Sequence, residues 1–335
     1  MNTYERIKAF ARLGDYLKNM PSAEMQSLTT MARNENSWFT PESVMMAISA
    51  IAGNLNEESL KNWLKNYNFF SGESKRIGVV LAGNIPLVGF HDVMCIILSG
   101  NTAIIKTSSK DQILMTFLLE KLKSIEPTIG NQIEITDRLK DFAGVIATGS
   151  DNTSRYFEYY FGKYPHIIRK NRSSVAILTG HESNDDLLSL GKDVFSYFGL
   201  GCRNVSKLFV PKEYSFDTLY SAWSHFNEII HHHKYCNNYD YQKSILLINR
   251  DEFLDNGFVI LQQSSRLVSP ISVVYYEVYS DDKELETVLS THASKIQTIV
   301  GSHRFAKVRF GDAQCPALDD YADNVDTMKF LESIS

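Results

Sequence analysis

The sequence predicts an α/β protein of two domains, each built on a largely parallel sheet. Three observations carry this. From Ile77 onward, short apolar runs alternate with stretches of helical period, the pattern of strand–helix–strand units. At Gly199 the alternation breaks and then begins again. At 335 residues, the chain exceeds the usual size of one domain.

Before Ile77 the chain reads as helices over 4–20 and 56–66, with another opened by Thr40-Pro41-Glu42-Ser43. There Thr40 is the cap and proline takes the first helical position. Strands are expected at 77–82, 102–106, 142–147, 166–169 and 175–178, with helices near 88–99, 112–124, 153–161 and 185–198. Beyond Gly199 the expected strands are 207–210, 245–248, 272–279 and 296–300, and the helices 215–232 and 282–293. This divides the chain into a first domain over 1–198, a second over 199–310 and a return segment over 311–335.

Composition narrows the function. With 44% hydrophobic and 22% charged residues the chain is of ordinary globular type. A net charge of −5 supplies no field to hold a polyanion, so no nucleic-acid partner is expected. Cys95, Cys202, Cys236 and Cys315 are scattered without CxxC spacing, which suits a reducing compartment and argues against a disulfide framework. Met1 to Arg6 lacks the apolar core of a signal peptide, so a cytoplasmic location is expected. The apolar stretch 78–105 contains Asn84, Pro86, His91, Asp92 and Asn101, which hydrocarbon would penalise, so no membrane span is expected. His231-His232-His233 beside Cys236 points its rings in different directions around a helix, and no metal site is expected.

Four junctions have residue types that suit chemistry. In Val80-Leu-Ala-Gly-Asn-Ile-Pro86, Gly83 permits a tight turn. Asn84 reads equally as a helix cap, or as a carboxamide at a strand's carboxyl end that donates to a developing oxyanion. In Thr102-Ala-Ile-Ile-Lys-Thr-Ser-Ser109 a lysine ends a buried strand and hydroxyls open a helix; this suits an anion or a ribose, although alone a solvated lysine is the simpler reading. Ala147-Thr148-Gly149-Ser150 is another strand–turn–helix junction able to approach phosphates. In Phe198-Gly-Leu-Gly-Cys-Arg-Asn204, Gly199 reads as the C-cap of the preceding helix, and Gly201 frees the backbone before Cys202. Polar, flexible neighbours make Cys202 a candidate nucleophile, whereas Cys95 lies in an apolar helix. Gly199-x-Gly201-x-x-Asn204 half-matches a dinucleotide fingerprint but follows a helix instead of a strand.

Taken in order, these junctions resemble the aldehyde dehydrogenase superfamily from about Arg76 to the C-terminus. The likeness is greatest to acyl-CoA reductases of the LuxC type, with the tail from Phe310 to Thr327 as its most specific element. The resemblance implies an aldehyde dehydrogenase-like fold, a Rossmann-like cofactor domain plus an α/β catalytic domain, with the active site in the cleft between them. It further implies Cys202 as nucleophile and Asn84 as oxyanion donor. Lys106, Ser108, Ser109, Thr148, Gly149 and Ser150 would be cofactor-binding residues. The implied reaction is reduction of an acyl-CoA or other acyl thioester to an aldehyde by NADPH, with NADH as the second choice. Nothing in the residues opposes a homo-oligomer.

The departures from the pattern matter. Hydrolytic members carry a glutamate that activates water, and the matching stretch Arg169-Lys-Asn-Arg-Ser-Ser174 has no carboxylate. An acyl-cysteine there would persist until a thiol or a hydride reaches it. Arg266 falls near the place of a glutamate that contacts the nicotinamide ribose. Two other readings stay open: an aldehyde dehydrogenase or acyl-phosphate reductase on the same scaffold, and a non-catalytic nucleotide-binding protein that has kept the fold.

Ser109 generates a test. NAD-selective relatives commonly place a glutamate there, which would repel a 2′-phosphate, whereas a hydroxyl can donate to it with Lys106 and Lys110 close in sequence. Comparing kcat/KM for the two cofactors should show the wild type favouring NADPH and Ser109→Glu losing most of that preference. A wild type that prefers NADH would refute it.

Overall fold

The computed structural model describes residues 1–69 and 73–334, so 70–72 of the expected first domain and 335 of the return segment lie outside the described residues. The architecture is α/β in two compact units, Met1–Asn171 with Ala317–Ser335, and Arg172–Pro316.

The first unit opens with α1 (Thr3–Lys18), α2 (Ser22–Glu35), α3 (Pro41–Asn54) and α4 (Glu57–Leu64). A capping box joins Asn2 and Glu5 at the start of α1, which buries Phe10, Leu13 and Leu17. On that buried face, a Cβ on Gly14 would stand 2.1 Å from Leu55 O, so only glycine lets α1 approach the end of α3 so closely. Thr40 caps α3 by accepting from Ser43 N at 3.3 Å, as its sequence predicts. Helix α2 has no counterpart in the sequence reading, because it buries only Leu28, Thr29 and Ala32 and its periodicity is faint.

The sheet of this unit is made of β1 (Arg76–Val80), β2 (Thr102–Lys106), β3 (Ile133–Ile135), β4 (Gly144–Thr148) and β5 (His166–Arg169), with α5 (Phe90–Leu98), α6 (Gln112–Ile125) and α7 (Asp151–Phe161) between them. The order is β3-β2-β1-β4-β5 and every described pairing is parallel. Val79, Ile104, Ile105 and Ile146 are fully buried. A parallel sheet covered on both faces reads as continuous apolar runs, which is why these strands were visible in the sequence. Helix α5 begins at Phe90 with Gly89 at its cap and no side-chain capping bond. Asn84 and Pro86 therefore stand in a turn and do not open the helix, which corrects that reading.

The second unit contains β6 (Ser173–Ile177), α8 (Asn184–Phe195), β7 (Val205–Pro211), α9 (Asp217–Trp223), α10 (His233–Asn249), β8 (Leu254–Asp255), β9 (Ile260–Gln263), β10 (Val273–Tyr279), α11 (Asp282–His292) and β11 (Ile296–Gly301). Its sheet runs β11-β6-β7-β10-β9-β8, parallel except at the β8–β9 edge. The units part between Asn171 and Arg172, whereas the sequence places its boundary near Gly199. The reason is pairing: β6 hydrogen-bonds to β7 and β11, so it and α8 belong to the second sheet. The strand expected at 245–248 is the end of α10. A four-residue apolar run cannot distinguish strand from helix, and here Leu246 is buried while Ile248 is 80% exposed. The long helix expected over 215–232 divides into α9 and a 3-10 stretch, Ser224–His231.

The chain ends in α12 (Thr327–Ile334), which belongs to the first unit. Arg169, at the end of β5, binds this tail. Its guanidinium donates to Asp92 Oδ1 of α5 at 2.6 Å, to Ala322 O at 2.5 Å and to Thr327 Oγ1 at 2.9 Å. Trp63 Nε1 donates to Tyr321 Oη at 2.9 Å, and His91 Nε2 lies 3.0 Å from Leu318 O. Among the described residues, no helix is long and apolar enough to cross a membrane. Arg169→Leu strands the buried Asp92 carboxylate and should cost about 3–5 kcal/mol in urea unfolding. A loss below about 1 kcal/mol, the scale of an exposed pair, would contradict the anchoring role.

Candidate active site

Parallel pairing brings the carboxyl ends of β1, β2 and β4 side by side, with Val80 opposite both Lys106 and Ala147. From β1 the chain proceeds outward to β2 and β3, then crosses to β4 and β5 on the other side. Such a switch point opens a crevice beyond the strand ends. All seven sequence-predicted residues of this unit, Asn84, Lys106, Ser108, Ser109, Thr148, Gly149 and Ser150, lie on that edge.

Their local contacts are specific. Leu81 N donates to Lys106 O at 3.0 Å. A Cβ on Gly83 would stand 2.4 Å from Ser108 Oγ, so glycine is what allows the Asn84 turn to rest on the Ser108 turn. Ser108 Oγ accepts from Lys110 N at 3.3 Å, and Ser108 O accepts from Asp111 N at 3.1 Å. Asn84, Lys106 and Ser109 are exposed. Gly149 N donates to Arg169 O at 3.3 Å, and a Cβ there would meet Phe157 Cε2 at 2.8 Å. Ser150 caps α7, its Oγ accepting from Thr153 N at 3.3 Å. The edge thus offers a cation, hydroxyls and a helix N-terminus, the donor set that suits a phosphorylated ribose.

In the second unit Cys202 stands on the turn before β7, partly buried. Helix α8 ends at Phe195 with Ser196 as its cap, so Gly199 is not the C-cap. Instead Tyr197 (φ 51°), Phe198 (φ 58°) and Gly199 (φ 76°) are consecutive left-handed residues, a conformation that costs bulky side chains about 1–2 kcal/mol each. Asn204 holds the turn in place. Its Nδ2 donates to Asp193 O (3.0 Å), Val194 O (3.3 Å) and Ser196 O (2.8 Å), and its Oδ1 accepts from Gly201 N at 2.8 Å. These bonds satisfy carbonyls that the end of α8 leaves without helical donors. Ser174 Oγ donates to Cys202 O at 3.1 Å.

The thiols of the other three cysteines are shifted upward. Burial pushes the Cys95 thiol well above its ordinary range, with the Asp92 carboxylate adding to the effect. Burial also raises Cys236 and Cys315, helped by Asp240 for the former and by Asp312 and Asp193 for the latter. Arg169, in the stretch that lacks a carboxylate, is turned to Asp92 of α5 and to the tail residues Ala322 and Thr327.

Sequence reasoning missed three residues that shape these edges. Asn204 was seen only as part of a half-matched glycine pattern, and a carboxamide's partners cannot be read from spacing. Lys207 is fully buried, donates to Glu277 and to Ser264 O at 3.1 Å, and so fixes the segment leading to Arg266. Asp111 looks like an ordinary helix cap, but its carboxylate turns away from α6 to accept from Leu87 N at 2.8 Å.

Solved structures share this architecture. Aldehyde dehydrogenase 21 from Physcomitrella patens, in complex with the reaction product succinate, aligns at 14% identity and a TM-score of 0.70, over 100% of this chain and 84% of that one. An E. coli NADP dependent enzyme aligns at 10% identity and a TM-score of 0.67, over 92% and 77% of the two chains. An NAD-dependent aldehyde dehydrogenase from Sinorhizobium meliloti aligns at 12% identity and a TM-score of 0.66, over 91% and 71%. At these identities the likeness establishes the aldehyde dehydrogenase fold. Residues 7–213 match the acyl-CoA reductase (LuxC) family, and the chain belongs to that family, an oxidoreductase acting at the aldehyde and acyl level. No curated protein matches the sequence.

Proposed function

We propose that this protein reduces an acyl-CoA, or another acyl thioester, to an aldehyde with NADPH, through an acyl group carried on Cys202. The observation that carries the reading is the Cys202 turn: a partly buried thiol behind a glycine, on a backbone fixed by Asn204. The stretch from Arg169 to Ser174 supplies no carboxylate to activate water.

In this reading the Cys202 thiolate attacks the thioester carbonyl, forming the new carbon–sulfur bond, and the tetrahedral oxyanion accepts hydrogen bonds from the Asn84 carboxamide and the Cys202 N–H. Collapse expels the coenzyme A thiolate, which takes a proton from solvent. A bound reduced nicotinamide supplies the hydride that reduces the acyl group. The resulting thiohemiacetal oxyanion rests on the same donors until the carbon–sulfur bond breaks, releasing aldehyde and restoring the Cys202 thiolate. Lys106, Ser108, Thr148, Gly149 and Ser150 would hold the dinucleotide, and the Ser109 hydroxyl would donate to a 2′-phosphate. A nicotinamide partner is supported by two proteins of similar structure, an NADP dependent enzyme and an NAD-dependent aldehyde dehydrogenase.

Incubation with a panel of acyl-CoAs followed by intact-mass measurement should add one acyl group, mapped to Cys202, and Cys202→Ala should add none and lose all reductase activity. Acyl transfer from an acyl phosphate alone, or an acyl group on Cys315, would overturn the assignment. Asn84→Ala should lower kcat by about 10²-fold with little change in KM, the usual effect of losing one oxyanion donor. An unchanged kcat removes Asn84 from the mechanism.

A further inference from the structure

We infer that Asp111 acts as a neutral carboxylic acid that positions the Asn84 turn, an inference that rests on the reading of Asn84 as oxyanion donor. Asp111 occupies the N-cap position of α6, where an aspartate ordinarily accepts from the N–H groups of its own helix. It does not do so. Glu35, at the end of α2, takes over that duty, its two oxygens 3.2 and 3.1 Å from Ile113 N. Asp111 is thereby released to reach across to the turn between β1 and α5, where its Oδ2 accepts from Leu87 N at 2.8 Å. Leu87 needs that hold: its φ is 58°, a left-handed conformation costly to a leucine. Leu87 lies three residues beyond Asn84, and Gly83 on the near side already rests on Ser108.

The protonation state follows from the surroundings. Asp111 is 2% exposed, and its Oδ1 is buried with no hydrogen-bond partner. A carboxylate with a single N–H donor and no counter-charge is poorly solvated there. The turn over 81–89 carries no charged side chain, Lys110 is exposed, and of the charged residues on α2 (Glu24, Arg33 and Glu35) it is Glu35 that acts on Asp111 and opposes a second negative charge. Burial, with Glu35 in support, pushes the Asp111 carboxyl up to about 8 despite the Leu87 N–H. A proton on Oδ1 leaves Oδ2 as the acceptor for Leu87. Its loss in alkali places an uncompensated charge under the turn that carries Asn84.

The test compares wild type, Asp111→Ala and Asp111→Asn. Asp111→Ala should lose between about tenfold and 10²-fold in kcat with little change in KM, the scale of a slightly displaced catalytic group. Asp111→Asn, neutral and still able to accept from Leu87, should recover most of that loss. Wild-type kcat should fall as pH rises through about 8, and Asp111→Asn should lack that fall. Unfolding midpoints give a readout independent of catalysis. With its folded pKa raised above the ordinary 3.8, Asp111 contributes stability that is whole below 3.8 and gone above about 8. The wild-type midpoint should therefore decline over that window relative to Asp111→Asn. Parallel midpoint curves, an alkaline limb shared by both proteins, or an Asp111→Ala enzyme with intact kcat would each overturn the inference. Diverging midpoints with an inert Asn84→Ala would instead fault the reading of Asn84.

Discussion

Parallel strand pairing is the constraint on which everything else in the first unit depends. A parallel ladder puts every carboxyl end on one edge and requires each connection to cross back over a face. The three junctions after β1, β2 and β4 are far apart in sequence, yet Val80, Lys106 and Ala147 stand in one row. The reversal between β1 and β4 opens the crevice at that row. Without the pairing, Asn84, Lys106 and Ser150 would have no common site.

Buried polar side chains then fix the segments that the sheets leave loose. Arg169 binds the tail, Asn204 the Cys202 turn, Lys207 the approach to Arg266, and Asp193 the segment after β11, accepting from Gly311 N at 2.6 Å and Ala313 N at 3.0 Å. For the buried Arg169–Asp92 pair the magnitude separates it from surface decoration. Breaking a buried charged pair costs about 3–5 kcal/mol, whereas pairs such as Lys61–Glu57 and Arg76–Glu134, with side chains over 40% exposed, contribute about 0–1 kcal/mol. Asp193 pays for its burial with a carboxyl pushed up to about 6, chiefly by desolvation, although two backbone donors resist the shift.

Three of the left-handed non-glycine residues flank the proposed chemistry. Leu87 beside the Asn84 turn, and Tyr197 and Phe198 before Cys202, are left-handed residues with bulky side chains. Each persists because a side chain from elsewhere over-determines it: Asp111 for the first, Asn204 for the others. Such strain fixes a backbone in one shape, which is what a preorganised oxyanion site requires.

The sequence by itself determined the α/β class, most strands, the Thr40 cap and the junction residues, because burial on both faces and capping chemistry leave local patterns that survive in one dimension. The apolar run at 245–248 misled for the same reason: four residues hold no period that tells a strand from a helix end. Where Asn84 would stand, how Gly199 and its neighbours turn, and which sheet β6 joins were decided only in the tertiary structure. Those outcomes rest on contacts between residues distant along the chain, Leu87 with Asp111, Asn204 with the end of α8, β6 with β11. No spacing along the chain encodes which buried donor will meet which acceptor.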